Sequence, residues 1–172
     1  MKRSELPSTE YNPFYHNYVL AVSENATILE ELVSGSDAFL GFLNELSEDK
    51  LRYAYAEGKW TLSELIVHII DAERVFQYRA LRFARGDKTP LPGFEQDDYV
   101  PASEANGRKK QDLISEYKAV RESTIQLFKS LSNEMLGRIG VASGSEMSVR
   151  ALGFIISGHQ AHHLRIINER YV

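Results

Sequence analysis

Apolar residues recur at three- and four-residue steps in four stretches of the chain, separated by segments rich in glycine, serine, proline and charge. The first stretch runs from about Tyr15 to Asn44, with Leu29, Leu32, Phe39, Leu40 and Leu43 in step. Gly35 and Gly41 are expected to weaken that helix or break it once. Thr61 and Glu64 have the spacing of a capping box, so a second helix starts there. It continues through Leu65, Ile69, Ala72, Phe76, Ala80 and Phe83 until Gly86 stops it. The third stretch spans about Gly107 to Leu131, where Leu113, Tyr117, Val120, Thr124, Leu127 and Leu131 alternate four- and three-residue steps, the seam of a helical bundle. Ser148 is the expected N-cap of a last helix reaching about Arg170.

Two connections stand out. Residues 87–105 hold Pro90, Pro92 and Pro101 and read as one long loop, of a length that in compact domains often serves a site. It carries Phe94 and Tyr99, candidates to pack over a ligand. Residues 137–147 read as a second loop, in which Gly140-Val141-Ala142 is too short to count as a strand. Residues 1–12, interrupted by Pro7, read as a loose N-terminal arm. Four long helices without a convincing strand or an internal repeat predict an all-α fold, an antiparallel four-helix bundle, as one domain over 1–172.

Composition narrows the function. Lys plus Arg is 20 against 24 for Asp plus Glu, a net charge of −4, which disfavours nonspecific binding of nucleic acid because that binding runs on phosphate neutralisation. There is no cysteine, so disulfides, thiolate zinc sites and a cysteine nucleophile are excluded. The polar start, Met1 to Asn12, does not read as a signal peptide, and no apolar run suits a membrane span; the expected location is the cytoplasm.

The five histidines carry the candidate chemistry: His16, His68, His159, His162 and His163. His159 and His163 are four residues apart, so on a helix their imidazoles stand one turn apart on one face and can meet one ion. Advancing about 100° per residue from Ala151 places both in the middle of the apolar arc, with His162 near its edge and Ser157, Gln160, Arg165 and Asn168 on the opposite side. His68, the one histidine of the second helix, falls within that helix's apolar arc, toward its rim. Three neutral imidazoles suit zinc, nickel, iron or cobalt, and three protein ligands leave a position for water or substrate. The competing reading is a structural bundle whose histidines are hydrogen-bonded core residues. His16 reads as surface or packing, and His162 as a neighbour of the site. Asp71 falls outside the apolar arc and reads as solvated, whereas Glu73 falls inside it and reads as half of an ion pair within the bundle, with an arginine as the fitting partner.

Two blocks resemble a known family. Trp60-Thr61-Leu62-Ser63-Glu64-Leu65-Ile66-Val67-His68 and Gly158-His159-Gln160-Ala161-His162-His163 look like the second-helix and last-helix signatures of the DinB/YfiT-like superfamily, and the separation of the blocks and the chain length are also similar. The resemblance implies a four-helix bundle, often a homodimer, with one divalent metal ion on three histidines. Carried over by motif position, these are His68, His159 and His163. Members of that superfamily include bacillithiol S-transferases and mycothiol-dependent isomerases, and many others grouped as metal-dependent hydrolases have no assigned reaction. The expectation is therefore a metal-dependent enzyme that activates a small thiol or a water, with a small-molecule substrate and unknown catalytic side chains. A metal-dependent hydrolase and a non-catalytic metal-binding stress-response protein are the alternatives.

Overall fold

The computed structural model describes residues 1–171. Its helices are α1 (His16–Leu20), α2 (Ile28–Glu45), α3 (Leu62–Ala84), α4 (Gln96–Ala102), α5 (Lys110–Lys129), α6 (Asn133–Leu136) and α7 (Val149–Arg170), with one hairpin of β1 (Ile139–Ala142) and β2 (Ser145–Ser148). Three of the long helices, α2, α3 and α7, start where a side chain caps their free N–H groups. Thr61 and Glu64 cap α3 reciprocally, the Glu64 N–H donating to Thr61 Oγ1 at 3.2 Å and the Thr61 N–H to Glu64 Oε2 at 2.7 Å. Thr27 and Glu30 do the same for α2, and Ser148 Oγ accepts from the Ala151 N–H at 3.0 Å to open α7.

α7 and α5 stand on opposite corners of the four-helix bundle, each packed on both α2 and α3. The contacts give the directions. His68 faces His163 while Phe76 faces His159, so α3 and α7 run antiparallel. Leu32 meets Arg121 and Phe39 meets Tyr117, so α2 and α5 are also antiparallel. Glu64 meets Asn106, Arg74 meets Glu116 and Gln77 meets Ser123, so α3 and α5 are parallel. Two consecutive long helices can run parallel only if the chain between them crosses back over the whole bundle. That requirement accounts for residues 85–109. They climb beside α3 from its C-terminus, where the Leu91 N–H donates to the Val141 carbonyl at 2.9 Å, to its N-terminus, where Thr61 Oγ1 donates to Asn106 Oδ1 at 2.7 Å. The expected loop is thus a crossover, and it contains the short helix α4.

Three further expectations are corrected. The first helical stretch does break, but at Ala21–Thr27 and not at either glycine; α2 runs unbroken through Gly35 and Gly41. The cap at Thr27 restarts the helix, and Gly35 is used for close packing, its carbonyl accepting from Gln160 Nε2 at 2.7 Å. Gly140-Val141-Ala142 does form a strand: it pairs with β2 through a turn in which Ser143 and Gly144 both take positive φ, 51° and 73°, the conformation that matches strand twist in a two-residue hairpin. The arm is not loose either. The Arg3 and Ser4 N–H groups donate to the Ala26 and Glu24 carbonyls at 3.0 and 3.1 Å, and Tyr11 is buried.

A polar layer divides the core into two apolar clusters. One gathers around Leu32, Phe76, Phe83 and Phe154, the other around Phe39, Leu65, Ile69 and Tyr117. Between them Arg121 Nε and Nη2 donate to the two oxygens of Glu73 at 2.8 and 2.7 Å, and Nη2 also donates to Gln160 Oε1 at 2.6 Å. Arg121 Nη1 donates to the Leu32 carbonyl at 3.0 Å, and the Tyr117 hydroxyl to Gln160 Oε1 at 2.6 Å. All four long helices contribute, so the layer fixes their register around α7.

α1 reaches α7 at Gly158, where a β-carbon would stand 1.9 Å from the Tyr18 carbonyl oxygen. Gly158→Ala is therefore expected to push α1 off α7 and to destabilise the fold by about 1–3 kcal/mol. That corresponds to a melting temperature several degrees lower. A variant melting with the native chain would mean that α1 does not approach so closely.

Candidate metal centre

The polar layer and the capped helix starts bring three imidazoles together. His68 comes from the N-terminal part of α3, about two turns from its start, and His159 and His163 from successive turns of α7, directly after Gly158. The Nε2 atoms of His68 and His163 each lie 3.1 Å from Nε2 of His159, and one ligand atom from each of the three falls within 4.8 Å of the other two. Nitrogens bound to one ion at about 2.0–2.1 Å stand roughly 3.0–3.4 Å apart. The spacing and the donor type therefore fit a single transition-metal ion. His68 and His159 are buried, and His163 is half-buried.

Aromatic rings hold the imidazoles in place. Trp60 lies 5.0 Å from the His68 ring, Tyr18 lies 5.3 Å from His159, and Phe76 lies 6.0 Å from it. Burial keeps all three imidazoles neutral, the form that ligates. Desolvation brings His68 down to about 4, partly opposed by Asp97, and His163 down to about 3, with His68 and His162 adding to the effect. His159 is held well below the ordinary value by burial first and by its three histidine neighbours second.

In the metal-free chain this has a pH consequence. Unfolded imidazoles protonate near 6.5 while the folded ones resist, so between about 6.5 and 4 the unfolded state binds more protons. Stability is then complete above about 6.5 and falls as the pH drops toward 4. Urea midpoints measured from pH 7.5 to 4.5 are expected to decline across that window; a flat series would mean that the imidazoles are not held neutral.

His162 is not part of the cluster. Its ring packs on Tyr18 at 5.2 Å, and Nδ1 lies 3.5 Å from Arg165 Nη2. His16 is exposed, with Nδ1 3.2 Å from the Tyr11 hydroxyl. Glu73 is the buried partner of Arg121. Asp71 is only partly solvated: it pairs with Arg74 at 3.3 Å, and burial raises its carboxyl. Gln160 and Ser157, placed on the polar side by the helical wheel, are both buried, because α1, α2 and α3 enclose the first half of α7 on every side.

Two cavities open on the cluster. One, of about 410 Å³, has His68 and His159 in its wall, and Phe94 of the crossover beside them. The other, of about 480 Å³, reaches His163 between Trp60 and Tyr171. Asp97 borders both. Tyr99 does not line either; it is exposed, with its ring 5.2 Å from that of Phe94. Periodicity did not single out Tyr18, Asp97 or Arg79 as cavity residues. Of these, Arg79 carried a readable signal: with His68, Ala72 and Phe76 it continues one stripe of α3 in steps of four, four and three, a cation inside an apolar face.

The family profile of the DinB superfamily matches residues 31–167, and the chain belongs to that superfamily. A protein of Oceanobacillus iheyensis, provisionally named a metal-dependent hydrolase, is 26% identical over 153 residues, which cover 84% of this chain and 87% of that one. YfiT from Bacillus subtilis, described as a four-helix bundle of unusual topology, superposes with a TM-score of 0.72 at 15% identity over 97% of this chain and 95% of its own. A mycothiol-dependent maleylpyruvate isomerase superposes with a TM-score of 0.66 at 13% identity, over 80% of this chain and 58% of its own. At such identities the superpositions establish the fold alone. Among the described residues no helix is long and apolar enough to cross a membrane.

Proposed function

We propose that His68, His159 and His163 hold one divalent metal ion, zinc or nickel before iron or cobalt, and that the chain is a metal-dependent enzyme acting on a small molecule. The observation that carries this reading is the convergence of three neutral imidazoles, with the Nε2 atoms of His68 and His163 each 3.1 Å from that of His159, where two cavities open. Bound there, a divalent ion with three protein ligands makes hydroxide from water, or thiolate from a small thiol, available near neutral pH. The residues around it do the rest. Trp60, Tyr18 and Phe76 exclude water and fix the imidazole planes, and the crossover places Phe94 and Asp97 at the openings. Asp97 is the carboxylate that borders both openings.

Between thiol transfer and hydrolysis, two cavities reaching one centre suit two substrates, a thiol and an electrophile, and a chain without cysteine supplies no competing thiol. The hydrolase reading is supported by the name of the Oceanobacillus relative. The test is to incubate metal-loaded protein with an electrophile and a low-molecular-weight thiol such as bacillithiol, and separately with simple esters and amides, beside the His159→Ala protein. Conjugation above that blank supports a transferase, and cleavage without conjugation a hydrolase. Protein that takes up metal but turns over neither would be a binding protein. We further propose a homodimer; a light-scattering mass near 19.5 kDa would refute it.

A further inference from the structure

Among the described residues two arginines are fully buried, and they are treated differently. Arg121, 1% exposed, is neutralised by Glu73 through two hydrogen bonds. Arg79, 2% exposed, is paired with no carboxylate among the described residues. Its Nη2 donates to two neutral acceptors, the Pro92 carbonyl at 3.1 Å and Ser143 Oγ at 2.9 Å, which tie the crossover and the hairpin turn to α3. A guanidinium carries five N–H donors, and those two bonds use one of its three nitrogens. Arg79 lines the same cavity as His68 and His159, so its remaining donors have that cavity as their outlet. A buried charge without a counter-charge is costly, and the cavity is where a counter-charge fits.

We propose that Arg79 is the oxyanion-recognition residue of this cavity, taking the carboxylate or phosphate end of a small substrate whose other end faces the three histidines. This deepens the functional reading above and rests on it for the orientation of the substrate. The guanidinium carbon lies 5.8 Å from the centre of the Phe76 ring, which lies 6.0 Å from that of His159; the guanidinium is no farther from the cluster than those two legs together. A small organic acid or phosphate ester spans that gap. The planar fork matches an oxyanion with two parallel hydrogen bonds. Glu95 and Asp97 line the same cavity but are exposed, and neither pairs with Arg79. Their charge disfavours an anion held at the opening, so the oxyanion end of the ligand goes inward.

The test is isothermal titration of succinate, glutarate and inorganic phosphate, with glutaramide as the neutral control, into metal-free and metal-loaded protein. At least one oxyanion is expected to bind at least tenfold more tightly than glutaramide, and Arg79→Met to weaken it at least tenfold. Preference for a carboxylate or for phosphate names the ligand class, and either supports the assignment. The Nε–H resonance of Arg79, followed in the unmodified protein, is expected to shift on titration, so the outcome does not depend on the variant folding. No oxyanion binding at millimolar concentration, equal binding by folded Arg79→Met, or an unmoved Arg79 resonance overturns the assignment. Oxyanion binding in protein that takes up no metal would sink the metal reading and leave this one standing; metal uptake without oxyanion binding would do the reverse.

Discussion

His159→Ala is expected to have the largest effect on the centre: metal content near one ion per chain in the native protein should fall close to zero. His159 Nε2 is the atom that both other Nε2 atoms face at 3.1 Å. Without it, His68 and His163 offer two ligands on different helices, and affinity should fall by at least on the order of 100-fold, the upper range seen when groups that merely support a ligand are removed. His68→Ala and His163→Ala should behave alike, whereas His162→Ala should keep its metal, because that ring is turned toward Tyr18 and Arg165. Elemental analysis of the four purified variants is the measurement. Metal loss in His162→Ala with retention in His163→Ala would place the ion elsewhere.

Arg121→Met is expected to have the largest effect on the fold. It removes the charged partner that Glu73, 3% exposed, has among the described residues, and also the donors to Gln160 and to the Leu32 carbonyl. Breaking a buried pair from one side costs about 3–5 kcal/mol because the remaining charge is stranded. Removing both charges together, as in Glu73→Leu with Arg121→Met, should cost much less. Urea midpoints decide: equal stability of the single and double variants would mean that the pair does not control the core. Gln160 follows His159 on α7, so the single variant should also weaken metal binding; that separates a network that sets the register of α7 from one that only fills space.

Much of the architecture is legible in the chain itself. The caps at Thr61 and Ser148 and the stop at Gly86 are local chemistry, set by which side chains can reach free backbone groups. The pairing of Glu73 with an arginine follows from a carboxylate on an apolar arc, which must find a cation. His68, His159 and His163 could be named together because two share one helical face and the third lies on another helix's apolar arc; the structure brings their nitrogens within reach of one another.

The helix directions were decided by packing. Four amphipathic helices can be threaded in several orders, and the parallel pairing of α3 with α5 depends on how α7 is enclosed, which no local pattern encodes. That pairing turns residues 85–109 from a loop into a crossover, and brings Phe94 and Asp97 to the cavity and the Pro92 carbonyl to Arg79. The break at Ala21–Thr27 and the strand at Ile139–Ala142 were hidden for the same reason. Gly35 and Gly158 are used for close approach between helices, and the hairpin holds because Phe83, Leu91 and Arg79 pack or bond against it from elsewhere in the chain. Helical periodicity reports one buried face against one solvated face. It therefore identified the long helices and the candidate ligands, but it could not see that the first half of α7 is buried all round, because only the tertiary structure brings the neighbours that bury Ser157 and Gln160.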